Sequence, residues 1–281
     1  MPELPEVENV RRQLAPVMER ARFEEVVLRR RDLRIPFPWR FRDRLTGADV
    51  LALDRRAKYL VATLSSGETL IMHLGMSGSF RVEMIGGSHH AGDAVQEVTH
   101  ARHDHVLFRM SSGAIVTFND PRRFGLMDLV KAGRLAAHPV LSKLGPEPLA
   151  GDFEGGVLAR SCAGRRTALK VTLLDQRVVS GLGNIYASEA LNLAGLSPFR
   201  QASTIATSTG RPRPSAHRLA AAIKTVLTTA IERVAGADYR ASRFRVYDRT
   251  GEPCPTPRCR GTIRQVTQAG RSTFYCPRCQ R

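Results

Sequence analysis

Four cysteines crowd the last 28 residues: Cys254, Cys259, Cys276 and Cys279, spaced C-x4-C-x16-C-x2-C. Two close pairs of thiolates divided by a short segment are the layout of a tetrahedral zinc site. The segment between the pairs reads as a hairpin. Gly261–Val266 and Arg271–Tyr275 are its strands, and Gln268, Ala269 and Gly270 its turn. A ribbon this short cannot bury a core of its own, so one structural Zn2+ is expected to hold it together. The fifth cysteine, Cys162, reads as a buried, inert thiol.

A different chemistry is available at the other end. Removal of Met1, which a small second residue permits, leaves Pro2 with a secondary amine. An α-amino group ordinarily titrates at about pH 8. At a helix N-terminus the macrodipole disfavours its cationic form, so a neutral fraction exists at physiological pH. Such an amine can attack a sugar C1′ and give an iminium. Glu3 is placed to shuttle protons and Glu6, one helical turn on, to orient its neighbours. Taken alone, Pro and Glu at a helix start are also ordinary capping residues.

Between the two ends, Gly181-Leu182-Gly183-Asn184 separates two helical segments within 166–195. Glycines let backbone amides approach a phosphate, and the second helix adds its positive N-terminus. A simple helix hairpin has the same pattern, but Arg165, Arg166 and Lys170 nearby favour a polyanion. The run His100, His103, His105 invites a metal reading, which its spacing does not support.

The elements that must position these groups follow from periodicity. Val7, Val10, Leu14 and Met18 recur at three and four, predicting a helix over 4–20. From about 24 to 130 short apolar runs alternate with turns, among them Tyr59–Leu64, Thr69–Leu74, Val106–Met110 and Ala114–Phe118. That spacing predicts a β-sandwich or barrel-like layer. Residues 83–101, polar and rich in Gly and His, read as a surface loop. Residues 153–235 return to helical periodicity, interrupted by a Ser-, Thr-, Pro- and Gly-containing stretch at 201–216 that reads as a mobile loop. A helix resumes from His217 to about Val234. The expected organisation is 1–135, a linker at 136–152, 153–239 and 240–281.

The chain has 281 residues, 42% of them hydrophobic, with 43 Lys+Arg against 26 Asp+Glu and a formal charge of +17. That is enough apolar content for a real core, which excludes a disordered tail. A folded, strongly basic, Arg-rich chain points to nucleic acid as partner. Ten arginines lie between Arg240 and Arg281 against only Asp248 and Glu252, so the cysteine unit reads as a phosphate gripper as well as a staple. No apolar run is long enough for a membrane span, and the start lacks a signal-peptide pattern. A cytoplasmic, nucleoid-associated setting is expected.

Seven segments in order carry a family resemblance: MPELPEVE at 1–8, RRAKYL at 55–60, MHLGMSG at 72–78, HDHV at 103–106, NDPRRFG at 119–125, GLGNIYASEAL at 181–191 and the cysteine unit. Together they resemble formamidopyrimidine-DNA glycosylase. The resemblance implies an α+β protein of two domains. An N-terminal β-sandwich begins with the catalytic helix; the C-terminal half holds a helix–two-turn–helix and a zinc β-ribbon. It implies a bifunctional glycosylase and abasic-site lyase that removes oxidised purines from double-stranded DNA through a Schiff base on the N-terminal proline, followed by β- and δ-elimination. A monomer is the family expectation.

Residue by residue, Pro2 occupies the nucleophile position, and Glu3 and Glu6 match the acidic pair. Lys58 matches a lysine near the lesion phosphate and sugar. Met76, Arg122 and Phe124 match the residues that fill the gap left by an extruded base, a role suited to an apolar wedge and an arginine. His103, Lys170, Asn184 and Arg271 match phosphate contacts. Two features depart from the family pattern. The first cysteine pair has a four-residue gap, longer than in many members. Only Gly236–Arg243 stands where members carry a longer loop over the extruded purine. The short loop leaves an oxidised-pyrimidine specificity, as in the endonuclease VIII-like branch, as the alternative. Leu4 and the Met76/Arg122/Phe124 set favour purines. A non-catalytic zinc-containing DNA binder would keep the basic surface without Pro2, Glu3, Glu6 and Lys58.

Overall fold

The computed structural model describes residues 2–84, 101–234 and 244–281. Most of the loop expected at 83–101, and the short segment at 236–243, lie outside these residues. Two compact units emerge. One comprises Pro2 and Glu6–Ser142; the other comprises Glu3–Pro5 and Lys143–Arg281. The division at 142/143 falls inside the expected linker, whose residues pack into one unit or the other. Leu141 is buried, and the Gly145 amide donates to the Gln176 carbonyl at 2.8 Å.

The first unit begins with helix α1, Leu4–Met18, of which Glu6 onward belongs to this unit. Val7, Leu14 and Met18 are fully buried, as the three-four spacing predicts. The helix stops two residues short of the expected end because Arg20 takes a left-handed φ of 62° and its amide turns to the Val50 carbonyl. Strand β1 is Phe23–Leu28, and a short helix α2 spans Phe41–Leu45. Seven further strands follow: β2 Val50–Arg56, β3 Tyr59–Leu64, β4 Glu68–His73, β5 Ser79–Met84, β6 Asp104–Met110, β7 Ala114–Asn119 and β8 Leu126–Lys131. They form two four-stranded antiparallel sheets, ordered β1-β6-β7-β5 and β2-β3-β4-β8. Phe23, Leu53, Leu60, Phe108 and Phe118 share one core with α1, as in a β-sandwich. Glu83 and Met84, expected in the surface loop, instead finish β5 opposite Ile115 and Ala114.

The second unit holds α3 Gly155–Cys162, α4 Leu169–Leu173, α5 Asn184–Ala194 and α6 Pro214–Val234. Buried Ala216, Leu219, Ile223, Leu227 and Ile231 line one face of α6 against α3 and α5. The stretch 201–216, expected as a mobile loop, is packed. Ala202 and Ile205 form a buried 3-10 turn, Ala206 pairs with Pro212, and α6 begins at Pro214, three residues early. Small polar residues here bend the chain while Ile205 anchors it. Proline at the first position of α6 suits a helix start.

At the C-terminus, β9 Arg264–Gln268 and β10 Arg271–Tyr275 pair through a two-residue turn. Ala269 and Gly270 both have positive φ, 49° and 72°, as a type I′ hairpin turn requires. The first strand starts three residues later than expected because Gly261 and Thr262 close the cysteine knuckle, bonding to Cys254 and Pro253. Among the described residues, no helix is long and apolar enough to cross a membrane.

Candidate active site and nucleic-acid interface

In the second unit the two glycines of GLGN are occupied by protein. The Leu4 amide donates to the Gly181 carbonyl at 3.2 Å, and Leu4 packs where a Gly181 side chain would stand. A Cβ on Gly183 would lie 2.2 Å from Glu3 Cδ. The Glu3 carboxylate, 3% exposed, accepts from the Ile185 amide at 3.0 Å in the first turn of α5. The positive end of α5, expected to face a phosphate, therefore caps a carboxylate of the N-terminal segment. Pro2 is the residue immediately before this anchor, and both Pro2 and Glu6 are half-buried.

Lys170 also departs from expectation. It is 1% exposed, and its Nζ donates to Asn184 Oδ1 at 2.8 Å, to the Ser272 carbonyl at 2.9 Å and to Thr273 Oγ1 at 2.7 Å. An ammonium has three protons, and all three are taken. Lys170 is thus a clamp joining α4, α5 and the ribbon rather than an outward phosphate contact. Burial, and then the charge of Arg271, push its pKa down to about 8 against an opposing pull from Glu3. Asn184 is half-buried; its Nδ2 donates to the Ser272 carbonyl at 3.0 Å, leaving its second amide hydrogen for an external acceptor. Arg271 is exposed beside the hairpin turn.

The four cysteine sulfurs lie within 4.8 Å of one another. Cys254–Cys279 and Cys259–Cys276 are each 3.6 Å apart. Thiolates about 2.3 Å from a tetrahedral Zn2+ stand at about that separation, so the cluster fits one structural zinc. The four-residue gap is accommodated by Pro255, Thr256 and Pro257, with Arg258 at a left-handed φ of 63°. Gly261 is required, since a Cβ there would approach Cys276 Sγ to 2.6 Å. Glu189 on α5, which its sequence context did not single out, receives the amides of Arg245, Val246 and Tyr247 at 2.6, 2.8 and 2.9 Å. It thereby seats the approach to the knuckle. Gln280 ties the knuckle to Asn192 and to the Leu196 carbonyl. Cys162 is fully buried with its pKa pushed up to about 11, the inert thiol expected.

In the first unit, Met76, Arg122 and Phe124 come together. A Cβ on Gly75 would lie 2.3 Å from the Phe124 backbone, so only glycine lets the two turns meet. Asp120, fully buried, binds both turns, accepting from Ser77 Oγ at 2.6 Å and the Gly125 amide at 2.7 Å. Met76 and Phe124 remain 42% and 43% exposed, and the Arg122 guanidinium sits 4.7 Å above the Phe124 ring. Exposed side chains on a rigid, buried base have the build of a wedge.

Lys58 is buried at the β2–β3 turn beside Ala57, which has φ 53°. Its charge acts on His73, a residue that spacing alone did not mark. His73 Nδ1 accepts from the Gly75 amide at 3.0 Å. Burial, Lys58 and Arg34 push its pKa down to about 4. It is therefore a neutral ring with its proton on Nε2, a donor next to the wedge. His103 is half-buried and its Nε2 accepts from Arg102 Nε at 3.0 Å. His105 is buried and bonds to the Asp120 carbonyl at 2.9 Å, while His100 lies outside the described residues.

Comparison with known proteins bears on the family and the fold. Residues 1–127 match the formamidopyrimidine-DNA glycosylase N-terminal domain, 144–240 its H2TH domain, and 251–281 the zinc finger found in FPG and IleRS. The chain is 54% identical to the formamidopyrimidine-DNA glycosylase of Azorhizobium caulinodans and 53% identical to that of Afipia carboxidovorans, covering 100% of both partners each time. The Lactococcus lactis Fpg structure with abasic-site DNA superposes with a TM-score of 0.83 at 28% identity over 100% of both chains. The Thermus thermophilus MutM (Fpg) structure gives 0.79 at 35%, over 99% of this chain and 98% of that one. Matches of more than half identity along the whole of both chains lead to one conclusion: this chain belongs to the formamidopyrimidine-DNA glycosylase family.

Proposed function

We propose that this base-excision-repair glycosylase removes oxidised purines, 8-oxoguanine and formamidopyrimidines, with the Pro2 amine as nucleophile once Met1 is gone. The nitrogen bonds to C1′ as the C1′–base bond breaks and the base takes the amine proton; the C1′–O4′ bond then opens with a proton to O4′, and the resulting iminium leads to β- and δ-elimination. The single observation that carries this reading is the anchoring of Glu3. A carboxylate held by the Ile185 amide fixes the backbone one residue from the amine, so the nucleophile has a defined position. Glu3 serves as proton shuttle, and Glu6 and Lys58 support the reacting sugar. Met76, Arg122 and Phe124 fill the gap left by the extruded nucleotide. Asn184, Arg271, His103 and His73 hold phosphates, with Lys170 orienting Asn184. Zinc holds the ribbon and takes no part in bond making.

A second reading, oxidised pyrimidines, draws on one relative: a solved structure of Lactococcus lactis Fpg is described as bound to an oxidised-pyrimidine-containing DNA. Borohydride trapping on duplexes with 8-oxoguanine or an oxidised pyrimidine separates the two. A covalent complex formed faster on 8-oxoguanine and absent when Met1 is retained is the expected result. Trapping only on the pyrimidine overturns the purine reading. A four-thiolate cluster with one buried thiol, and the basic surface, support a reducing, cytoplasmic and nucleoid-associated setting.

A further inference from the structure

The stretch 29–44 carries seven arginines and two aspartates, and apart from the charge of Arg34 on His73 none of it enters the site above. Its residues line an open groove of about 650 Å³ bounded by Leu28–Arg31 and Phe37–Asp43. Trp39 stands in it 84% exposed, the most exposed of the large apolar side chains in the described residues. Its backbone is fixed: Arg44 donates to the Trp39 carbonyl at 3.0 Å, while Phe37 packs at 5.1 Å on the buried Phe41 ring. The next residue, Arg40, adopts left-handed backbone at φ 52° and ψ 35° without being glycine. Asp43 steadies the neighbouring cations, accepting from Arg40 Nε at 3.1 Å and Arg42 Nε at 3.5 Å. Strain of this kind is kept where it positions something.

An exposed indole on a fixed backbone, among arginines, suits unpaired nucleotides: cations follow the phosphates, and a base lies on the ring. A base inside a duplex is already stacked on both faces and cannot do this. The segment that carries the groove is also joined to the turn of Arg122 and Phe124. The Arg34 amide donates to the Gly125 carbonyl at 3.0 Å, and Arg123 pairs with Asp32 at 3.6 Å. The geometry points to a second binding site on the β-sandwich unit, for single-stranded DNA, built on Trp39 with Arg40 and Arg42. Only the relevance of this join rests on the proposed role of Arg122 and Phe124.

Trp39 is the sole tryptophan, so its emission reports this site alone. Titration of the full protein with a lesion-free dT oligonucleotide is expected to quench it saturably. The quench persists when the protein is first saturated with a duplex carrying a stable abasic analogue. By anisotropy of a labelled dT strand, Trp39→Ala and the pair Arg40→Glu/Arg42→Glu each weaken binding about tenfold, and Trp39→Phe restores most of it. Both side-chain sets are exposed, so folding is unaffected, and excision from lesion duplex stays at the wild-type rate. Absence of quenching, or its loss on adding the duplex, overturns the site. Quenching by polyglutamate but not by dT assigns the face to an acidic protein instead. Loss of excision in wild-type protein with quenching intact would count against the proposed function alone.

Discussion

The Ile185 amide donates to Glu3 Oε1 at 3.0 Å, joining two residues 182 positions apart in the chain. The first turn of one helix is thereby capped by the residue that follows the proposed nucleophile. Gly183 makes this possible through size alone. Its φ of −127° and ψ of −163° are open to any residue, but a Cβ would stand 2.2 Å from Glu3 Cδ. Gly183→Ala is therefore expected to leave helix α5 intact and displace the carboxylate. Borohydride trapping and excision should fall by about 100-fold, the effect of a displacement of about 1 Å at a reacting group, while binding to undamaged duplex holds. Unchanged trapping would refute the anchoring role.

Lys170→Met removes three donors at once and leaves Asn184 Oδ1, the Ser272 carbonyl and Thr273 Oγ1 without their shared proton source. A loss of about 2–4 kcal/mol in stability is expected by chemical denaturation. The pair Lys170→Met with Asn184→Ala should weaken DNA binding no more than Asn184→Ala alone. Additive losses would mean that Lys170 meets the phosphate itself.

His73 gives the pH prediction. Its folded pKa is pushed down to about 4 from the ordinary 6.5, so in the range between them the unfolded chain binds a proton that the folded protein does not. Stability then rises with pH across that window and is lost as pH falls through it, by about 3 kcal/mol at most. His73→Asn keeps an acceptor for the Gly75 amide and removes the titration. Denaturation midpoints of the two proteins should converge as pH drops from 6.5 toward 4; parallel curves would contradict the assignment.

Met76→Ala and Phe124→Ala truncate side chains that are 42% and 43% exposed. Thermal stability should hardly move, because little burial is lost. Excision from a lesion duplex should fall strongly, with binding to undamaged duplex preserved. Matched losses on both substrates would show a general contact instead of a wedge.

Arg271→Ala should weaken all duplexes alike and lower the salt slope of binding by about one unit. Chelation of zinc, or Cys279→Ser, should be more severe. The ribbon core of Val246, Ile263 and Phe274 is too small to persist alone, and its collapse removes Ser272 from Lys170 and Asn184. Most helical circular dichroism should survive while DNA affinity is lost. Retained affinity would show that the ribbon is dispensable.

The parts legible in the sequence were those with short-range causes. Cysteine spacing announced the zinc cluster, three-four periodicity the buried face of α1, and alternating apolar runs the strands β3 and β7. The motifs placed Met76, Arg122 and Phe124 in one role, although their meeting depends on Gly75 lying against the Phe124 backbone. Tertiary structure decided what depends on neighbours distant in the chain. Lys170 read as an outward cation, yet Thr273 and Ser272, over 100 residues on, take its protons. GLGN read as a phosphate cradle, yet Glu3 and Leu4 fill it. His73 and Glu189 carried no signal, because a histidine's proton and a carboxylate's three amide donors are set by what folds against them. Spacing along a chain specifies a helix face or a metal knuckle, since both are local geometries. Whether a charged side chain points to solvent or is buried and satisfied is a free-energy difference that exists only once the surrounding elements have packed.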